Sequence, residues 1–176
     1  MVVRKKSKSF TLIELLVAVM IFSLIGGIAA GVFTSGLRDQ RKSLASQEIL
    51  SQTSYLMEYI SRALRMARKD IDGICIDAKL NYKIVDSGIE FMNYKGECQK
   101  FYLSASQLKE EKGGAVSDLT SGNLEVANFN VNLLGETQTD DLQPRATFFL
   151  EIKGKEQSKI KIQTTVSQRN LDVPYE

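Results

Sequence analysis

The hydrophobic and polar positions of the chain fall into three regimes. From Phe10 the sequence is almost continuously apolar, and the 23 residues from Leu15 to Leu37 carry no charge. At about 1.5 Å rise per residue, such a run is long enough to cross a hydrocarbon core of about 30 Å as a helix. Beyond Arg38 the pattern changes to an amphipathic one. Ile49/Leu50, Thr53, Leu56/Met57, Ile60, Ala63/Leu64, Ala67 and Ile71 recur at spacings of three and four, one apolar stripe. No proline lies between Phe10 and Asp70. The spacing therefore predicts one long helix from residue 10 to about 69, apolar all round at first and amphipathic afterwards.

After Asp72-Gly73 the apolar residues alternate in short runs, the signature of strands. Residues 88–94 and 98–103, with Gly96 between them, read as a hairpin. Leu124 to Leu133 alternates with asparagines as one long or bulged strand with a wet face. Residues 146–152 and 160–166 form two more strands joined across Lys153-Gly154-Lys155. About five mostly antiparallel strands give a sheet whose apolar face covers the helix stripe. The expected fold class is α+β, a long N-terminal helix packed on an antiparallel sheet.

Composition removes several chemistries. The 176 residues include no histidine and two cysteines. A Ser-His-Asp or Cys-His nucleophile, an imidazole metal ligand and a four-thiolate metal site are therefore excluded. The net charge of +2 is unevenly distributed. Arg4, Lys5, Lys6 and Lys8 precede the apolar run with no acid among them, which predicts a cytoplasmic N-terminus and an extracytoplasmic remainder. The expected organisation is a basic leader (1–9), a membrane helix half (10–37), an amphipathic helix half (38–71) and an extracytoplasmic β domain (72–176).

An apolar run near the N-terminus also fits a secretory signal cut near Ala29-Ala30-Gly31, or a plain signal anchor. Glu14 argues against both. A carboxylate inside an apolar segment is costly, by roughly 2.5–3.5 kcal/mol at a helix centre and less near its end, and an anchor has no use for it. No basic residue within the segment pairs with it. Its partner must be another chain or a new amino terminus.

The stretch Lys8-Ser9-Phe10-Thr11-Leu12-Ile13-Glu14-Leu15-Leu16-Val17-Ala18-Val19 resembles the N-terminal processing and methylation signal of type IV pilins and type II secretion pseudopilins. The resemblance implies cleavage by prepilin peptidase between Ser9 and Phe10 and N-methylation of Phe10. It also implies that Glu14 pairs with the N-terminal amine of a neighbouring subunit during filament assembly. Ser9 stands where the family usually has glycine. Removal of the leader changes the net charge from +2 to −2, so no nucleic-acid partner is argued from basicity.

A weaker resemblance, to W-type minor pilins and J-type minor pseudopilins, spans short motifs in order along the chain. These are Tyr59 to Ala67, Leu119-Thr120-Ser121, Gln143 to Thr147 and Gln163 to Asn170. It implies a low-copy, tip-proximal or priming subunit.

Gly27 and Gly31 have the small-xxx-small spacing that lets helices approach closely, which is also ordinary for membrane helices. Arg62, Arg65, Arg68 and Lys69 form a basic cluster suited to the C-terminal end of a helix. In an oxidising compartment Cys75 and Cys98 are expected to pair. Glu136, Asp140 and Asp141 form the one carboxylate group suggestive of calcium, but without EF-hand spacing they read as a solvated loop. The expected function is a non-enzymatic pilus or pseudopilus subunit. Its expected partners are prepilin peptidase, other pilin-like subunits and the inner membrane. The alternative is a membrane-anchored extracytoplasmic binding module that assembles no filament. An enzyme using paired carboxylates finds no support in the spacing of the acids.

Overall fold

The computed structural model describes residues 10–136 and 142–169. Helix α1 runs from Leu12 to Arg65. Eight strands follow: β1 Lys83–Val85, β2 Gly88–Met92, β3 Cys98–Ser104, β4 Gln107–Lys112, β5 Ala115–Asp118, β6 Glu125–Leu134, β7 Arg145–Lys153 and β8 Lys159–Ser167. The chain divides after Arg41 into two units, the first holding the apolar part of α1 and the second, from Lys42 onward, all of the sheet.

In the second unit α1 buries Ala45, Ile49, Thr53, Leu56, Ile60 and Leu64, the stripe legible in the sequence. Thr53 is accommodated in it because its hydroxyl donates to the Ile49 carbonyl at 2.6 Å, inside the helix. The helix ends at Arg65, a turn earlier than the spacing predicts. Its last carbonyls are taken by the fold: Tyr82 Oη donates to the Leu64 carbonyl at 2.8 Å and the backbone N–H of Arg169 to that of Arg65 at 2.8 Å. Just beyond the helix, Gln168 Nε2 donates to the Ala67 carbonyl at 2.7 Å. Past Ala67 the backbone forms isolated bridges instead, Arg68 with Met92 of β2 and Asp70 with Leu80 ahead of β1.

There are two antiparallel sheets rather than one, ordered β1-β2-β3-β4-β5 and β6-β7-β8. The expected hairpin is β2–β3, paired from Gly88↔Tyr102 to Met92↔Cys98. The asparagine-rich strand is β6, bulged between Val126 and Asn128. The last two expected strands are β7 and β8. Strands β1, β4 and β5 lack a readable period: β4 is Gln-Leu-Lys-Glu-Glu-Lys, with one apolar side chain. Strand β6 crosses against β1 to β4, so the two sheets share one core. Ile60 and Leu64 of α1 join Tyr82, Phe91, Phe101, Phe148, Leu150 and Ile152 in that core. Each such side chain contributes roughly 1.5–3 kcal/mol of burial free energy. Gly88 is required where β2 meets β3, because a Cβ there would lie 1.8 Å from the Phe101 carbonyl oxygen.

Candidate functional site

The N-terminal end of α1 is built around Thr11. Its carbonyl accepts the N–H groups of Glu14 and Leu15, both at 3.2 Å, and its Oγ1 lies 3.4 Å from the Glu14 nitrogen. Thr11 therefore caps the helix, and Thr-Leu-Ile-Glu has the spacing of a capping box. Thr-x-x-Glu before an apolar run is the usual signal of such a box, a second meaning of the pattern beside the processing motif. Glu14 sits in the first turn, where the helix dipole favours a negative charge. Phe10 precedes the helix and is 79% exposed. Phe10 and Glu14 are four residues apart, about one helical turn. Glu14 is exposed and has no ion-pair partner among the described residues.

From Leu12 to Leu37 every side chain is exposed. The stretch is long and apolar enough to cross a membrane, and none of it is buried within this chain. Two of its three hydroxyls are satisfied internally. Ser23 donates to the Val19 carbonyl at 2.8 Å, and Thr34 to the carbonyls of Ala30 and Gly31 at 3.0 Å each. Such bonds remove the cost of a bare hydroxyl in hydrocarbon. Gly26, Gly27, Gly31 and Gly36 have no atom in the space a Cβ would enter, so the helix surface at each is open to a neighbour.

In the second unit Cys75 and Cys98 form a disulfide, as expected. What positions Cys75 is Asp70, a residue to which the sequence assigns no role beyond the end of the proline-free stretch. The Asp70 carboxylate is fully buried and accepts the N–H groups of Ile74, Cys75 and Ile76 at 3.0, 2.6 and 2.9 Å. Burial pushes its carboxyl up, but the backbone N–H bonds outweigh burial and hold it below the usual carboxylate range. A second buried carboxylate, Glu110, accepts from Tyr59 Oη at 2.8 and 3.0 Å and from Gln99 Nε2 at 2.5 Å. Burial, followed by the bond to Glu110, raises the Tyr59 phenol well above its ordinary value. Charged β4 gave no sign that one of its acids faces inward.

The expected basic cluster is divided by the fold. Arg62 pairs with Glu58 on the exposed side of α1, and Arg65 is in the last helical turn. Arg68 lies outside the helix, in a bridge with Met92. Ser9, Asp140 and Asp141 lie outside the described residues. Among the described residues, no group of three or more Cys, Asp or Glu is placed to hold a metal ion.

Residues 4–30 match the family model of the prokaryotic N-terminal methylation motif. That motif is the signal of type IV pilins and pseudopilins, and the chain carries it together with the long apolar helix it introduces. The matched segment and the apolar helix fit a membrane-anchored, pilin-like precursor of a structural rather than catalytic class. Neither curated proteins nor solved structures yield a match to the chain.

Proposed function

We propose that the chain is a type IV pilin-like subunit, a minor pilin or pseudopilin, that passes from the inner membrane into a filament. Prepilin peptidase cuts between Ser9 and Phe10, and the new Phe10 amine is methylated. The basic leader holds the N-terminus in the cytoplasm until then, and the unit beginning at Lys42 stands outside the membrane. On assembly, Leu15 to Leu37 exchanges lipid for the corresponding helices of neighbouring subunits. The Glu14 carboxylate meets the amine of the next subunit, so that the charge pair sets the axial register.

One observation carries this reading: Glu14, an exposed carboxylate without an ionic partner among the described residues, stands one turn from Phe10 at the head of the exposed apolar stretch of α1. In hydrocarbon or in a packed helix bundle an unpaired carboxylate is costly, so a cation from another chain is needed. The motif match across residues 4–30 supports the same partner. The order of motifs from Tyr59 to Asn170 supports a low-copy subunit.

Intact-mass measurement of the protein from its native membrane or filament fraction tests the reading. A chain beginning at Phe10 with one added methyl group is expected. A chain beginning at Met1 or Val2 would favour an anchored binding module instead. A start near Gly31 would mean an ordinary secretory signal and end the filament reading.

A further inference from the structure

The two sheets have four outer strands, and three are poor templates for pairing. β1 and β5 are three and four residues long. β6 is bulged, and its Val126 N–H is already bonded to the Ser106 carbonyl at 2.8 Å. Short edges and bulges are the usual ways in which proteins blunt a sheet edge. β8 has neither. It is nine residues long, its register with β7 is unbroken from Arg145↔Ser167 to Lys153↔Lys159, and β7 is its one strand partner among the described residues. It contains no proline, and Val166 is its one buried residue.

Lysine is the remaining common protection of an edge, and here it is partly withdrawn. Lys159 and Lys161 both pair with Glu151 on β7, the latter at 3.3 Å. On the other face of β8, a cleft of about 610 Å³ separates the strand from the flank of α1. Met57 and Ile162 supply its apolar lining, and Glu58, Arg62 and Arg65 its charges. Glu58 is committed to Arg62, and Arg65 has no ion-pair partner among the described residues. On one face Lys159 and Lys161 thus share the single carboxylate of Glu151, and on the other Arg62 and Arg65 line the cleft with the single carboxylate of Glu58.

We propose that β8 is a docking edge for an extended segment of another protein, in which apolar residues alternate with carboxylates. The segment adds a fourth strand to β6-β7-β8 through backbone hydrogen bonds. Its apolar side chains enter the cleft over Met57 and Ile162. Its carboxylates meet Lys159 and Lys161 on the opposite face, and one at the end of the cleft meets Arg65. A second copy of β8 fits less well, because it brings two further lysines to an edge already in cationic excess. The site rests on residues 54–65 and 159–167 and is independent of events at Phe10.

The test uses the full chain in detergent micelles and a fluorescent peptide, Asp-Val-Glu-Val-Asp-Val-Thr. A control peptide of the same composition, Asp-Glu-Asp-Val-Val-Val-Thr, lacks the alternation. The alternating peptide is expected to bind at least about tenfold more tightly than the control and to slow hydrogen exchange at β8 amides while leaving β5 unchanged. Arg65→Glu and Lys161→Glu, on opposite faces of the edge, are each expected to weaken binding about tenfold, so one suffices if the other fails to fold. Absence of binding, equal binding of the control or protection away from β8 overturns the proposal. So do outward-pointing β8 amides, those not bonded to β7, that exchange as slowly as the amides of β7 before any peptide is added.

Discussion

The backbone N–H of Cys75 lies 2.6 Å from the carboxylate of Asp70, inside a loop that the same carboxylate also ties at Ile74 and Ile76. The disulfide to Cys98 is therefore anchored at one end by a buried charge. Gly73, at φ +72°, supplies the left-handed turn that folds the loop back over that charge. Two constraints, one covalent and one electrostatic, hold the segment between the helix and the first sheet.

Replacing Asp70 by alanine orphans the N–H groups of Ile74, Cys75 and Ile76, of which that of Ile76 is buried. Each hydrogen bond to a charged acceptor is worth roughly 1.5–3 kcal/mol, but the losses overlap in one loop, and about 3 kcal/mol in total is expected from denaturant unfolding. Acid should mimic the substitution in the wild-type protein. Because the folded Asp70 carboxyl is held below its ordinary value, its contribution is complete above the unfolded value, near 3.9, and is lost as pH falls through the folded one. The wild-type minus Asp70→Ala stability difference should be constant at neutral pH and shrink below about pH 4.

Reduction of Cys75–Cys98, at a sequence separation of 23, releases a loop whose closure is worth about 3 kcal/mol in the chain-entropy model. A lower midpoint of unfolding is expected in a thiol reductant. An unchanged midpoint would show that Asp70 alone suffices to hold the loop.

Tyr59→Phe removes a hydroxyl that donates to both oxygens of Glu110 and leaves Gln99 as the remaining bonded donor. The expected loss is about 2 kcal/mol. The phenols of Tyr59 and Tyr82 are both raised, chiefly by burial. A raised folded value means stability that is complete below the unfolded phenol range and lost as pH rises above about 10. A phenolate absorbance titration should show the two rings ionising only as the protein unfolds.

Gly88→Ala places a methyl group 1.8 Å from the Phe101 carbonyl oxygen, with the Tyr102 Cα at 2.7 Å. Both contacts are backbone, which cannot swing aside, so β2 and β3 must separate. A loss of about 3 kcal/mol or failure to accumulate is expected, measured by thermal unfolding or soluble yield.

Glu14→Gln keeps the size of the side chain and removes its charge. On the proposed function, membrane insertion is retained or improved and recovery in the filament fraction falls about tenfold or more. Equal recovery of variant and wild type in that fraction would overturn the register role. Processing at Phe10, read by mass, separates a defect in assembly from a defect in cleavage.

Those experiments probe features of unequal legibility. The stripe of Ile49, Thr53, Leu56, Ile60 and Leu64 was readable because a helix with one buried face must repeat its apolar residues every three or four positions. The strands with clear alternation, β2, β3, β6, β7 and β8, were readable for the analogous period of two. β4 was not: its inward Glu110 is stabilised by Tyr59, 51 residues away in sequence, and no local pattern announces such a partner. Asp70 was hidden in the same way, because a carboxylate serving its own following backbone looks like any aspartate before a turn.

By itself the sequence determined the apolar N-terminal helix, the place of Glu14 within it and the α+β class. Each is a property of local spacing or of a contiguous signal, and neither needs a distant residue to define it. The tertiary structure alone decided that the strands split into sheets of five and three, that α1 stops at Arg65 and that Asp70 and Glu110 are buried. Those outcomes turn on contacts between residues far apart in the chain, such as Tyr82 with Leu64 and Gln168 with Ala67. Long-range pairing fixes where backbone carbonyls and buried charges find their partners, and one-dimensional patterning carries no record of it.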